Sequence, residues 1–331
     1  MNNFVKRALQ DGGSIRPLII PSNLTGGTGL MNPSVFNDNG KILVVVRHVN
    51  YTFYHSEKKV FLHPWGPLTY LHPEDDMHLR TTNYYCEMDE SLNIARYNKI
   101  DMSFGDSKYK PMWEFVGLED ARIFRWDGKL YICGVRRDTT TNGEGRMELC
   151  EIEVGSDYVK EISRFRIPAP NNPNSYCEKN WMPVLDMPYH FVKWSSPTEL
   201  VKVDPTNLTC KTVALKEDTP RLRRDIRGGT QLLTLDDGSR LAMTHEVDIF
   251  KSDVGRKDAI YHHRFLVWDK NWNIQSFSKE FWLMDGRVEF GIGLCRDLDP
   301  KFVLLTFGFQ DNAAFILRCP VSTIMNFIQG S

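Results

Sequence analysis

Several short stretches of this sequence set charged or amide side chains beside β-forming residues. Asn32-Pro33-Ser34 is followed by Arg47 at the end of the apolar run Ile42-Leu43-Val44-Val45-Val46, and Gly117-Leu118-Glu119-Asp120-Ala121-Arg122 leads into Ile123-Phe124. Glu178-Lys179-Asn180-Trp181, Arg227-Gly228-Gly229-Thr230-Gln231, His245-Glu246, Tyr261-His262-His263-Arg264-Phe265, Val288-Glu289-Phe290 and Gly308-Phe309-Gln310-Asp311 continue the series. A charge beside a buried strand is costly unless paired, so mutual pairing accounts for any one of these alone. Their recurrence along the chain points instead to a polar site where successive strands converge, with carboxyls, cations and amides in reach of one ligand.

The elements that must hold these groups are strands. Ser34–Phe36 and Ile42–Val46 flank Asn39-Gly40, Ala121–Phe124 and Leu130–Cys133 flank Asp127-Gly128, and Thr230–Leu233 and Leu241–Met243 flank Asp237-Gly238, each a hairpin signal. Further strand runs fall at 148–154, 199–203, 265–268 and 302–307. Helical spacing occurs only at Val5–Gln10 and Val321–Ile328. Strands without intervening helices exclude a parallel α/β sheet. Many short antiparallel strands must protect their edges, and the expected solution is an all-β, five-bladed β-propeller with short terminal helices, a pair of sandwiches being the alternative. The chain reads as one domain over residues 1–331, with an N-terminal extension over about 1–30 and a C-terminal helix over about 320–331; the Pro168–Asn174 stretch reads as a surface loop.

Composition narrows the partners. With 41 Lys plus Arg against 42 Asp plus Glu, the formal net charge is −1, which gives no reason to expect nucleic acid or an anionic membrane surface. No apolar run is long enough to span a bilayer and Met1–Gln10 lacks the apolar stretch of a secretory signal, so a cytoplasmic location is expected. Seven scattered cysteines without a CxxC pair read as buried thiols rather than disulfides or a zinc site. Nucleotide-loop, dinucleotide, serine-hydrolase and zincin motifs are absent, and no cofactor or metal is expected. The substrate is expected to be a small glycan or glycoside, and association into oligomers stays open.

The order of motifs resembles glycoside hydrolase family 130. It runs from Asn-Pro…Arg through Gly-x-Glu-Asp-x-Arg, Lys-Asn-Trp-x-Pro, Arg-Gly-Gly, Tyr-x-His-Arg-Phe and Glu-Phe-x-x-Gly-Leu (Glu289–Leu294) to Phe-Gly-x-x-Asp, from about Asn32 to Ile328. The resemblance implies a five-bladed propeller acting on β-mannosides, as an inverting phosphorylase or hydrolase. It implies Asp120 as catalytic acid, and Arg47 and Asp311 as groups holding the sugar, with Asn32, Ser34, Glu119 and Arg122 beside them. It further implies Lys179 as a phosphate-binding lysine, with Arg136 or Arg137 as a phosphate-binding arginine and inorganic phosphate as co-substrate. The chain departs from the family pattern in having Ala121 for proline, and the second phosphate arginine has no clear counterpart, Arg164 and Arg166 being candidates.

An inverting phosphorylase needs one carboxylic acid and an anion supplied by the substrate, whereas an inverting hydrolase needs a second carboxylate to activate water. Glu246, Glu178 and Glu289 are the candidates for such a base. Lys179 and an arginine would hold phosphate by point charge and by bidentate fork. Glu119 would raise the Asp120 pKa and Arg122 would lower it. His262 and His263 are adjacent on a strand and so face opposite ways, which favours structural roles or stacking over metal ligation. Trp113, Trp181 and Trp194 could stack on sugars, though most aromatics are core, and Arg221-Leu222-Arg223-Arg224 reads as a solvated basic loop. Two further readings stand beside the phosphorylase or hydrolase. One is a glycosyltransferase of the same architecture using a sugar nucleotide or sugar phosphate; the other is a glycan-binding propeller without catalysis.

Overall fold

A computed structural model describes residues 2–26, 29–54, 69–71, 78–104, 115–139, 143–172, 174–217, 222, 225–251 and 257–329. Among the described residues, twenty of the strands fall into five antiparallel units of four. Blade I is Leu30–Asp38, Lys41–Val49, Leu79–Met88 and Ile94–Asp101, and blade II is Glu119–Trp126, Lys129–Arg136, Arg146–Val154 and Val159–Arg166. Blade III is Met182–Pro183, His190–Trp194, Thr198–Asp204 and Thr209–Lys216; blade IV is Leu233–Thr234, Arg240–Lys251, Lys257–Trp268 and Ile274–Phe277. Blade V is Glu289–Arg296, Phe302–Phe309 and Ala313–Pro320, completed from the other end of the chain by Ser14–Pro17. Part of the segment expected to be an extension thus supplies a strand of the last blade.

The core explains why the ring closes. Val45 and Tyr85 of blade I pack with Ile123 and Ile132 of blade II, and Phe124 and Leu149 of blade II pack with Phe191 and Val201 of blade III. Val192 and Leu200 meet Ala242 and Leu266 of blade IV, while Phe265 and Val267 meet Leu305 and Leu317 of blade V. Cys295 and Ile316 then return to Val35 and Val44 of blade I. Each blade is therefore covered on both faces, which is why Ile42–Val49 is buried at every position instead of alternating. The terminal helices Phe4–Gln10 and Val321–Gln329 cap the layer between blades IV and V, Phe4 lying against Phe265, Phe281 and Phe327.

Two of the expected hairpins turn on left-handed pairs: Asn39 and Gly40 have φ of 54° and 94°, and Asp127 and Gly128 have 49° and 77°. The third differs. The inner strand of blade IV begins only at Leu233, because Thr230 bonds Met243 of the next strand through its backbone N–H and its hydroxyl while Gln231 turns inward to bond across blades. The Gln231 amide donates to Val35 O and accepts from Leu294 N, so it ties blades I and V together. All seven cysteines are free, and six are buried. Among the described residues no helix is long and apolar enough to cross a membrane. Trp113, Arg221, Arg223 and Arg224 lie outside the described residues.

Candidate active site

The polar residues gather at one end of the ring, where the inner strands begin. Blade I enters through Asn32 (φ 45°), blade II through Asp120 (φ 52°) and blade III just after Asn180 (φ 61°). Left-handed backbone is tolerated best by Gly, Asn and Asp, which matches the residues used. In blades I and II the ladder slips between Met31 and Ser34 and between Glu119 and Arg122. Such bulges turn a side chain out of the alternation and aim it elsewhere. Here they bring Asn32 and Asp120 face to face, the Asn32 Nδ2 donating to Asp120 Oδ1 at 2.8 Å. On blade V the chain turns at Gln310 and Asp311, also left-handed at 52° and 48°, directly after the strand that ends at Phe309.

Arg47, buried on the second strand of blade I, is the hub. Its Nη1 donates to Asp120 Oδ1 at 2.9 Å, its Nη2 to the Tyr51 hydroxyl at 3.0 Å and its Nε to Thr81 Oγ1 at 3.1 Å, with Glu119 Oε2 at 3.6 Å. Burial opposes the Arg47 charge, but Tyr51, Asp120, Glu119 and Asp311 around it more than compensate and raise its pKa. The two aspartates respond oppositely. Burial pushes the Asp120 carboxyl up, yet Arg47, the Asn32 amide, Arg122 and Lys179 outweigh it and hold the group below its usual value. Asp311 is raised to about 6 by burial, Arg47 offsetting only part of this and Asp120 and Glu119 adding to it. The site thus pairs an ionised Asp120 with an Asp311 that keeps its proton into mildly acidic pH.

Arg122 fastens this end of the ring. Fully buried, it donates from Nε to Gly229 O at 2.8 Å and from Nη1 to Asp120 O at 3.0 Å, and burial lowers its pKa to about 10. Ser34, also fully buried, accepts from Ile123 N at 3.1 Å. Both were expected to bind substrate; with these partners they brace neighbouring segments instead. Asn32, Arg47, Glu119, Asp120 and Asp311 are the expected residues that come together. Tyr51 and Thr81 join them without having been singled out, for nothing in their local sequence distinguishes them from core and edge residues.

The expected anion-binding arginines have other partners. Arg136 bonds Asp138 through Nε at 2.9 Å, and Arg137 reaches Gly143 O and Cys177 Sγ, both at 3.3 Å, with its guanidinium over the Phe115 and Tyr176 rings. Arg164 pairs with Glu161, and Arg166 with Glu148 at 3.1 Å. The candidate bases are likewise engaged. Glu246 is fully buried against Arg264, Glu289 accepts from the backbone N–H groups of Leu283, Met284 and Gly286, and Glu178 accepts from Trp181 Nε1 at 3.2 Å. These placements do not support any of the three as a water-activating base. Lys179 is exposed and its charge is felt at both Asp120 and Asp311. Its neighbour across a shared hollow is Arg227, which the sequence reading left unassigned.

The three imidazoles of blade IV are held by contacts within the fold. His262 lies 3.0 Å from Asp248 and stacks on Trp282, whereas His263 accepts from Gly291 N at 3.3 Å, burial lowering its pKa to about 3. His245 stacks on Tyr261 with ring centroids 5.6 Å apart. Burial, then His263 and the cations Arg227 and Lys179, keep it uncharged. Among the described residues no cluster of His, Cys, Asp or Glu is arranged to hold a metal ion.

No family model and no curated protein matches this chain by sequence. Solved structures do match by shape. The β-1,2-mannobiose phosphorylase of Listeria innocua superposes with a TM-score of 0.52 at 11% identity, over 92% of this chain and 93% of its own. A GDP-Man-dependent mannosyltransferase of Leishmania mexicana gives 0.53 at 12% identity, over 93% and 90%. A structure from the GH130 family of mannoside phosphorylases, described with glycoside hydrolases that target β-1,2 mannosidic linkages in Candida mannan, gives 0.52 at 12%, over 89% and 85%. With its five blades and its entrance-end site, the chain has the fold of the GH130 mannoside phosphorylases and hydrolases.

Proposed function

We propose that this protein is a carbohydrate-active enzyme that makes or breaks a β-mannoside-like glycosidic bond with inversion, with Asp120 as the group that exchanges a proton with the glycosidic oxygen. The observation that carries the reading is the Asp120 constellation: a carboxylate set on a left-handed bulge and bonded to Asn32 and Arg47, with the Asp311 charge also acting on Arg47. Backbone strain of this kind is held at functional sites more often than at purely structural ones. A site that only bound glycans would need no proton-exchanging carboxyl.

Two features bear on the direction of reaction. Phosphorolysis or hydrolysis would require Asp120 protonated, whereas Arg47, the Asn32 amide and the nearby cations hold its pKa below the usual value. A bound sugar would have to lift its pKa by excluding water from the carboxylate. In synthesis the same carboxylate is ready to take the proton of an acceptor hydroxyl as the new bond forms. The engagement of Glu246, Glu178 and Glu289 with other partners also weighs against water as the attacking group. Together these favour phosphorolysis or transfer over hydrolysis, and transfer in particular.

The test is a panel of mannosides incubated with and without inorganic phosphate, and of mannosyl donors incubated with mannose acceptors, read by mass for sugar 1-phosphate or for lengthened glycan. Asp120→Asn should keep the fold and lower turnover at least about 10²-fold, the usual contribution of general acid–base catalysis. An active Asp120→Asn protein removes the residue from the chemistry. No turnover of any glycoside or donor overturns the reading as a whole.

A further inference from the structure

We propose that Glu289 is a positioning residue, whose carboxylate shapes the connection between blades IV and V into a brace that holds Tyr261 on one side and Asp311 on the other. The proposal rests on the functional reading above for what Asp311 does, and adds how that group is kept in place. Glu289 opens the inner strand of blade V opposite Phe309 and is 1% exposed. Both its oxygens turn back to the chain just before it. Oε1 accepts from Met284 N at 2.7 Å and from Gly286 N at 2.8 Å, and Oε2 accepts from Leu283 N at 2.8 Å. Burial pushes the carboxyl up, and the three N–H groups offset only part of that.

The carboxylate enforces a strained path. Asp285 and Arg287 have φ of 67° and 63°, and left-handed backbone at such residues persists only where the surroundings over-determine it. Three charge-assisted bonds from successive backbone N–H groups to one buried carboxylate supply that constraint. Glutamine would present one acceptor oxygen and one NH₂ group, and could not accept from all three.

Both edges of the brace reach the site. On the blade IV side, Arg287 O accepts from Tyr261 N at 2.7 Å, while Arg287 Nη2 donates to Asp258 Oδ2 at 2.6 Å and its guanidinium lies 5.4 Å from the centre of the Phe250 ring. Tyr261 stacks on His245, and burial followed by the Asp311 and Asp120 charges raises its pKa. On the blade V side, Val288 O accepts from Gln310 N at 2.7 Å and Gly286 O from Gln310 Nε2 at 2.8 Å. Gln310 directly precedes Asp311 in the left-handed turn, so the brace ends one residue from the carboxyl it positions.

Glu289→Gln in the full-length protein tests this. NMR of isotope-labelled aspartate side chains follows the Asp311 titration, with Asp311→Asn assigning the signal, and hydrogen exchange follows the Tyr261 and Gln310 amides. As the turn loosens and the Asp311 carboxyl loses burial, its midpoint should fall by at least about 1 pH unit. Exchange at both amides should speed up at least about 10-fold. Affinity for β-1,2-mannobiose, measured by calorimetry, should fall at least about 10-fold. Gln310→Asn changes no charge and suits the left-handed position, but is too short to reach Gly286 O. It should lower the Asp311 midpoint by a smaller amount, and it carries the test if circular dichroism shows that Glu289→Gln does not fold. Glu161→Gln, at a buried carboxylate paired with Arg164 in blade II, should change none of these quantities. An Asp311 midpoint that stays within about 0.3 pH units of the parent's, or rises, in Gln310→Asn overturns the proposal, because a fall in Glu289→Gln alone reports only the lost charge. Equal movement in Glu161→Gln, or unchanged exchange at both amides in Glu289→Gln, overturns it too. If the midpoint and the exchange respond as stated but no glycoside or donor is bound or turned over, the functional reading fails and the positioning role stands.

Discussion

Replacing Asp311 by asparagine should stabilise the protein above neutral pH while impairing it. In the unfolded chain this carboxyl loses its proton near the usual 3.8, and in the folded site near 6. Below 3.8 both states hold the proton and nothing is gained or lost. Between the two values the folded state binds more protons than the unfolded one, so stability falls as pH rises through this window. The full penalty, at most about 3 kcal/mol, is in place above pH 7. An amide of the same shape does not titrate. The stability difference between Asp311→Asn and the parent should therefore grow from about 1 kcal/mol at pH 4.5 to about 3 kcal/mol at pH 7.5. Urea unfolding of both proteins at the two pH values measures it, the difference between them cancelling groups they share. A difference that is independent of pH, or that favours the parent at pH 7.5, would show that Asp311 is not a strained carboxyl and would refute the electrostatic account of the site. Residues kept for ligand binding at a cost in stability are expected at active sites.

Other substitutions probe the surroundings. Arg47→Met leaves Asp120, Glu119 and Asp311 without their shared cation and should cost about 3–5 kcal/mol at pH 7, with a smaller loss at pH 5 where carboxyls begin to protonate; chemical denaturation at both values checks it. Glu246→Gln removes a charge from Arg264, which retains Glu280, and should lower stability by about 1–3 kcal/mol while kcat changes less than about twofold. A large fall in kcat with an intact fold would return Glu246 to the chemistry.

Much of the fold was legible because its signals are local. Asn39-Gly40 and Asp127-Gly128 announce hairpins through backbone that glycine and asparagine adopt readily, and the terminal helices show their own periodicity. The site was legible in its acids and in Arg47, but less so in its cations. Arg136, Arg164 and Arg166 look alike in sequence to a free phosphate-binding arginine, and what distinguishes them is their partners: Asp138 and Glu161, close by in the chain, for the first two and Glu148 across the ladder for Arg166. Glu148 stands opposite Arg166, two residue pairs from the Cys150 and Arg164 positions, and no local pattern reveals that alignment. Arg227 was passed over for the converse reason. Its strand-like neighbour Gln231 leaves the ladder to bond blades I and V, so the segment is a connection whose placement depends on the whole ring.

The closure of blade V by Ser14–Pro17 has a consequence for biosynthesis. Its partner strand Ala313–Pro320 lies far along the chain, and at about 5–20 residues per second it follows roughly 15–60 s after the first strand emerges. Throughout that interval the early strand has no native neighbour and must be shielded from pairing elsewhere, since an open strand edge is a template for misassembly. The first four blades can accumulate in order as they leave the ribosome, but the ring becomes a ring only when the tail of the chain returns to its head. Emergence of Ala313–Pro320, rather than any earlier blade's own folding, then sets when blade V can close.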